Sequence, residues 1–341
     1  MNKNIDKDVF ENINEDINKD IRKNINEDIN KDIRKNINDD IGKNISEGIS
    51  KDTTNNIIKK RIAIYTFISF ALVWGVMIPY LICGGKYNSK AMELILIYSM
   101  LCPAFAVIIT RRITNEGYEM TGSKSMKLGI DLRNKKWIFY ILAFVLPIVY
   151  FDLGELIYYA IFPKALDFSQ LNNYGIPQEL LFLIPLSAIS TSLIFSFGAL
   201  GEEIGWRGYL YPKLEELFGT TKAVIIGGII WGVWHYPALY AGHNFGHDYI
   251  GEPWTGFIIF TIFTIVVGAI LYYFTKRTDS VWVAAFMHAA NNTFSSATIL
   301  GLAYSDKKIS GLALESPLRL LIISIPVIIL GILAIIRLEK E

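Results

Sequence analysis

The chain has 341 residues, 52% of them apolar and 19% charged, with a formal net charge of +1. That balance excludes the basic surface that reads nucleic acid. The two cysteines, Cys83 and Cys102, both lie in apolar runs, which excludes a disulfide framework and a cysteine-built zinc site.

The charge is concentrated at the start. Residues 1–61 hold 13 of the 33 Lys+Arg and 13 of the 32 Asp+Glu, and the mean hydropathy of the chain is still +0.34. The remainder is therefore far poorer in charge than a soluble domain, where about 25% is usual. The first 55 residues lack an apolar h-region, so no secretory signal peptide is expected there. They carry a repeat instead: Asn12–Lys23 reads NINEDINKDIRK, and Asn24–Lys35 repeats it unchanged. Isoleucine or valine recurs at every fourth position from Ile5 to Ile49. On a helix with about 3.6 residues per turn, such a stripe winds by about 40° per step. Residues 1–60 are expected to be a low-complexity charged tail, disordered or partly helical. A right-handed coiled coil or a partner-binding helix is the alternative.

Apolar segments of membrane-spanning length follow. They are Ile62–Cys83, Met92–Thr110, Trp137–Phe162, Leu180–Leu200, Ala223–Tyr240, Trp254–Phe274, Val281–Leu302 and Leu318–Ile336. Residues 61–340 thus read as a polytopic all-α membrane domain of about eight transmembrane helices. Asp152 and Glu155 read as a helix end in the external interface. Alternate loops, with the entry to the first span and the chain end, carry 17 Lys and Arg near span ends; the opposite loops carry six. By the positive-inside rule both termini are expected in the cytoplasm, and the protein in the plasma membrane.

Ionisable groups within spans default to functional candidates, because burying them in lipid is costly. Three clusters stand out. In Gly201-Glu202-Glu203-Ile204-Gly205-Trp206-Arg207, at the expected cytoplasmic end of the fourth span, Glu203 and Arg207 share a helix face and can pair. Glu202 points elsewhere and is the candidate general base. In the fifth span, Trp231 and His235 share a face, so the indole can orient the imidazole. In the seventh, His288 and Asn292 are one turn apart and offer two donors for an oxyanion. The other histidines, His243 and His247, lie in the loop after the fifth span; Gly242 and Gly246 argue against the helix that a shared metal would need.

Taken in order, Glu-Glu-x-x-x-Arg, aromatic-x-x-x-His and His-x-x-x-Asn resemble the motifs of the CPBP family. These are the CAAX-prenyl endopeptidases and bacteriocin-processing intramembrane proteases, also called the Abi family. The motif-bearing core covers 180–302. The second motif usually begins with Phe, where this chain has Trp231. The resemblance implies that Glu202 activates water, that His235 positions it, and that His288 and Asn292 hold the oxyanion. Glu203, Arg207 and Trp231 would support them. It implies an intramembrane cavity open to the cytoplasmic side, lipids around it, and a peptide or protein substrate. A zinc on Glu202, His235 and His288 and a metal-free glutamate mechanism are both compatible with it; HExxH is absent. Prenylated CAAX proteins, or small membrane or bacteriocin-like peptides, would be the substrates. A non-catalytic immunity or scaffold protein of the same fold and a proton-coupled transporter are the competing readings.

Overall fold

The computed structural model describes residues 5–118, 126–175, 177–305 and 317–340. Lys124, Lys307 and Lys308, used in the charge count, lie outside them. The chain divides into two units, Met1–Ile58 and Lys59–Glu341. Every described residue of the first is helical, as part of α1 (Ile5–Ile82). Ile21, Ile25 and Ile29 of the repeat stand about half exposed, so the isoleucine stripe covers no core of its own there.

The second unit is helical throughout its regular structure. After α1 come α2 (Lys90–Ile113), α3 (Trp137–Ile161), α4 (Leu183–Gly205), a π-helical turn (Trp206–Leu210) and α5 (Tyr211–Phe218). They are followed by α6 (Thr220–Trp234), α7 (Tyr236–Tyr240), α8 (Trp254–Thr278) and α9 (Val281–Ala297). The last three are α10 (Ile299–Leu302), α11 (Pro317–Ile323) and α12 (Ile325–Leu338).

Among the described residues, five helices are long and apolar enough to cross a membrane, six if the bent pair α11–α12 counts as one span. The protein is a multi-pass membrane protein, with fewer full-length spans among the described residues than the eight expected. The differences have local causes. The fifth apolar segment splits at His235, because Pro237 in the first turn of α7 has no N–H for a helical bond. The seventh breaks at Thr298, whose side chain caps α10 by accepting from Gly301 N–H. The last bends by 59° where Pro326 opens α12. The fourth does the reverse and continues unbroken from Leu183 to Phe218. The Glu202–Glu203 pair is therefore inside a helix that runs on past it.

Asp152 and Glu155 both lie within α3 rather than at its end, Asp152 partly buried. Glu155 is the more enclosed. It sits within α3, only 2% exposed, and forms an ion pair with Arg319 of α11. A buried carboxylate persists in such a place because it is paired.

Helix α4 packs on α2 and α9, while α6 packs on α8 and α8 on α12. Glycines permit the closest approaches. A Cβ on Gly201 would lie 2.5 Å from the Met100 carbonyl oxygen, and one on Gly228 would lie 2.5 Å from Ile265 Cα. The first brings α2 onto the turn carrying Glu202; the second brings α6 onto α8.

Candidate active site

The site is built where α4, α6 and α9 meet. Glu202 lies one turn before the end of α4 and is buried. Its Oε2 accepts two indole N–H groups, from Trp231 at 2.9 Å and from Trp206 at 3.2 Å. Neutral donors of this kind hold a carboxylate oxygen in place without cancelling its charge. Oε1 receives no protein donor among the described residues, so it is the oxygen open to a water.

Glu203 has a different role. Its Oε1 accepts from Arg207 Nη1 at 2.9 Å and from His288 Nδ1 at 2.8 Å. Both Glu203 and Arg207 are fully buried. The Arg207 guanidinium lies 4.0 Å from the centre of the Trp231 ring and 5.2 Å from that of Tyr211. A planar guanidinium held between two aromatic faces suits arginine and not lysine. Arg207, Glu203 and His288 thus form one line, in which the carboxylate fixes the ring and tautomer of His288 and leaves Nε2 as its available nitrogen.

His235 occupies the break between α6 and α7. Its Nδ1 is 2.9 Å from the Trp231 carbonyl oxygen. A carbonyl only accepts, so Nδ1 carries the proton and Nε2 keeps its lone pair. Trp234 and Phe260 flank the ring at 4.7 and 5.0 Å between centroids. Trp231 connects the parts: it bonds Glu202, stacks on Arg207, and lies 5.3 Å from His288 and 6.0 Å from His235, centroid to centroid.

A cavity of about 840 Å³ is lined by Glu202, Trp231, His235, His288 and Asn292 together. Asn292 is exposed to it. The neighbouring Asn291 is buried and accepts from the Tyr150 hydroxyl at 2.6 Å, a structural contact. The lining of the cavity also includes Tyr87, His243, Asn244 and Arg319, from segments that the sequence reading put opposite the Lys/Arg-rich loops. On the Lys/Arg-rich side Tyr65, Trp206, Tyr209 and Tyr211 are at most 1% exposed and close beneath Glu202 and Arg207. Below them Glu116 accepts from Tyr209 at 2.8 Å and from Lys213 at 2.5 Å. Burial pushes the Glu116 carboxyl up, but Lys213, Tyr209 and Arg61 outweigh it and hold the group below its ordinary range.

Among the described residues no three His, Cys, Asp or Glu side chains gather as a metal-ligand set. Glu202 spends one oxygen on two indoles, and Glu203 is committed to Arg207 and His288. His243 and His247 are also kept apart in their bonding: the first pairs with the Tyr87 hydroxyl and the second with Glu252, each at 2.7 Å.

The sequence overlooked Trp206, although its spacing of four from Glu202 is the same signal that paired Glu203 with Arg207. Tyr211 carries the same signal, four residues after Arg207, and was overlooked with it.

Residues 179–294, which contain all of these groups except those of α1, α2, α3 and α11, match the family described as type II CAAX prenyl endopeptidase, Rce1-like. The match covers the stretch that carries the site, and there the chain is similar to the Rce1-like family. Curated relatives agree in part. The chain is 29% identical to a CAAX prenyl protease 2 of Methanococcus maripaludis over 89 residues, 26% of this chain and 32% of the relative. It is 26% identical to the lysostaphin resistance protein A of Staphylococcus haemolyticus over 165 residues, 48% of this chain and 39% of the relative. The matched stretch thus spans 32% and 39% of these relatives' length.

Proposed function

We propose that the chain is an intramembrane endopeptidase in which Glu202 activates water, without a metal, for attack on a peptide carbonyl. One observation carries the reading: Glu202, His235 and His288 line one cavity, with Glu202 fixed through Oε2 alone. A water between Glu202 Oε1 and His235 Nε2 is placed by both. Glu202 takes its proton as the hydroxyl oxygen bonds to the carbonyl carbon. The carbonyl oxygen gains the electron pair and is met by the Asn292 amide N–H and by His288 as an imidazolium, whose Nδ1–H stays on Glu203 while its Nε2–H donates. Glu202 then returns the proton to the amine as the C–N bond breaks. Glu203 and Arg207 hold His288 in place throughout. Substrates are prenylated CAAX-type proteins or small membrane peptides, processed in the plasma membrane.

Two other readings meet specific features. The relative named for lysostaphin resistance favours a non-catalytic protective factor, which would not need Glu202 as a base. Polar groups continuing along the cavity to Arg319 are what a transporter would use, but the buried aromatic layer below Arg207 offers no route onward. The deciding experiment compares wild type and Glu202→Gln in detergent, on a farnesylated CAAX peptide and a panel of membrane-anchored peptides, with and without a zinc chelator. Cleavage by wild type, absent in the variant and indifferent to chelator, is the expected result. Cleavage stopped by chelator and restored by zinc would defeat the metal-free mechanism. A resistance phenotype in cells that survives Glu202→Gln would defeat the protease reading.

A further inference from the structure

The cavity is lopsided along the helices that form it. Helix α1 runs from the Lys/Arg-rich face to the Lys/Arg-poor face, and it contributes Val73 and Met77, near its end. Helix α8 runs the opposite way and contributes Phe260, near its start. Helix α9 contributes Ser295, close to its end, and α11 contributes Arg319, close to its start. All of these are the ends nearest the Lys/Arg-poor face. The lining is completed there by Tyr87 in the turn after α1 and His243 in the loop after α7, bonded to each other at 2.7 Å. None of the lining comes from the Lys/Arg-rich loops, among the described residues. That side is closed by the fully buried layer of Tyr65, Trp206, Arg207, Tyr209 and Tyr211.

From this asymmetry we infer that the peptide reaches Glu202 through the mouth beside Tyr87 and His243, on the Lys/Arg-poor face, and that this face is outside the cytoplasm. The inference rests on the protease reading for what is cleaved, and it adds where the substrate stands. The charge count puts the Lys/Arg-rich loops in the cytoplasm. The mouth then faces the other way, and the substrate is an extracytoplasmic peptide or the extracytoplasmic end of a membrane-anchored one. The polar lining suits such a chain. Tyr87, His243, Asn244, Ser295 and Arg319 offer donors and acceptors to a peptide backbone along the path.

The test uses the full-length protein in cells, in a Cys83→Ser background; the remaining cysteine, Cys102, is buried. Ser295→Cys places a thiol in the cavity, and Arg112→Cys places one at the exposed end of α2 on the Lys/Arg-rich side. A membrane-impermeant maleimide added to intact cells is expected to modify Ser295→Cys, and to reach Arg112→Cys only after permeabilisation. The reverse pattern overturns the assignment of the face, and a Ser295→Cys thiol that stays unreactive even in detergent overturns the mouth. In detergent, the adduct on Ser295→Cys is expected to abolish cleavage of a membrane-anchored peptide, while the adduct on Arg112→Cys leaves it intact. Full modification of Ser295→Cys with cleavage unchanged overturns the route. If the unmodified protein cleaves none of the panel, it is the protease reading that falls, and the labelling pattern still decides the face.

Discussion

Trp231 makes more of the site's contacts than any acid or base in it. Its indole N–H bonds Glu202 at 2.9 Å, and its ring covers Arg207 at 4.0 Å. Trp231→Phe separates the two jobs, since it removes the donor and keeps a ring. A hydrogen bond to a charged group contributes about 1.5–3 kcal/mol, or about ten- to a hundredfold in rate. Trp231→Phe should therefore lower kcat by that factor with little change in KM, measured by steady-state peptide cleavage. An unchanged kcat would show that Trp206 alone suffices to hold Glu202. At this scale the sequence was informative. Spacing of four separated Glu202 from the Glu203–Arg207 pair and put Trp231 beside His235. What it could not provide was the bond from Glu203 to His288, because those residues are 85 positions apart and meet only when α4 packs on α9. For the same reason the burial of Asn291 and the exposure of Asn292 were not legible: adjacent residues differ by about 100° around a helix, and nothing local says which neighbour lies on which side.

Helix boundaries followed a different logic. Long apolar runs announced the helices, but where they break was set by Pro237, by Pro326 and by the cap at Thr298. The break at His235 matters most, because it places the imidazole at a helix end, bonded to the Trp231 carbonyl oxygen and free at Nε2. The position of α6 depends in turn on Gly228. A Cβ there would meet the backbone of Ile265 at 2.5 Å, and backbone cannot swing aside as a side chain can. Gly228→Ala should push α6 from α8 and lower stability by about 1–3 kcal/mol, read as a lower Tm in detergent. An unchanged Tm would mean that α6 and α8 are less tightly held than their contact implies.

For the whole molecule, the loop 241–253 on the mouth side carries a pH dependence that can be worked out. His247 Nδ1 lies 2.7 Å from Glu252, and that bond raises the histidine above its ordinary range and lowers the carboxyl below its own. The histidine's contribution is complete below its unfolded value, about 6.5, and is lost as pH rises through the folded value. The carboxyl's contribution is present above its unfolded value, about 4.3, and is lost as pH falls through the folded one. Nearby Asp248 adds to the first effect. Both charges are therefore in place around pH 5–6, and the protection factors of the loop amides, with the base-catalysed intrinsic rate divided out, should be highest there and lower at pH 8. His247→Ala should flatten that profile, and a profile that keeps its shape in the variant would assign it to other groups.

The π-turn at Trp206–Leu210 has a consequence for how such a site changes over generations. A π-turn holds one residue more than the α-turn it replaces. Loss of a single codon within it would let an ordinary α-turn close in its place and bring Tyr211 from spacing four to spacing three after Arg207, changing how the phenol ring meets the guanidinium. The reading frame and every motif before the turn would be intact, and the lineage would inherit a membrane protein of the same outline with a differently covered guanidinium at its centre. In such descendants the family pattern would survive comparison by eye, and the inserted residue, rather than any acid or histidine, would be the mark separating working copies from silent ones.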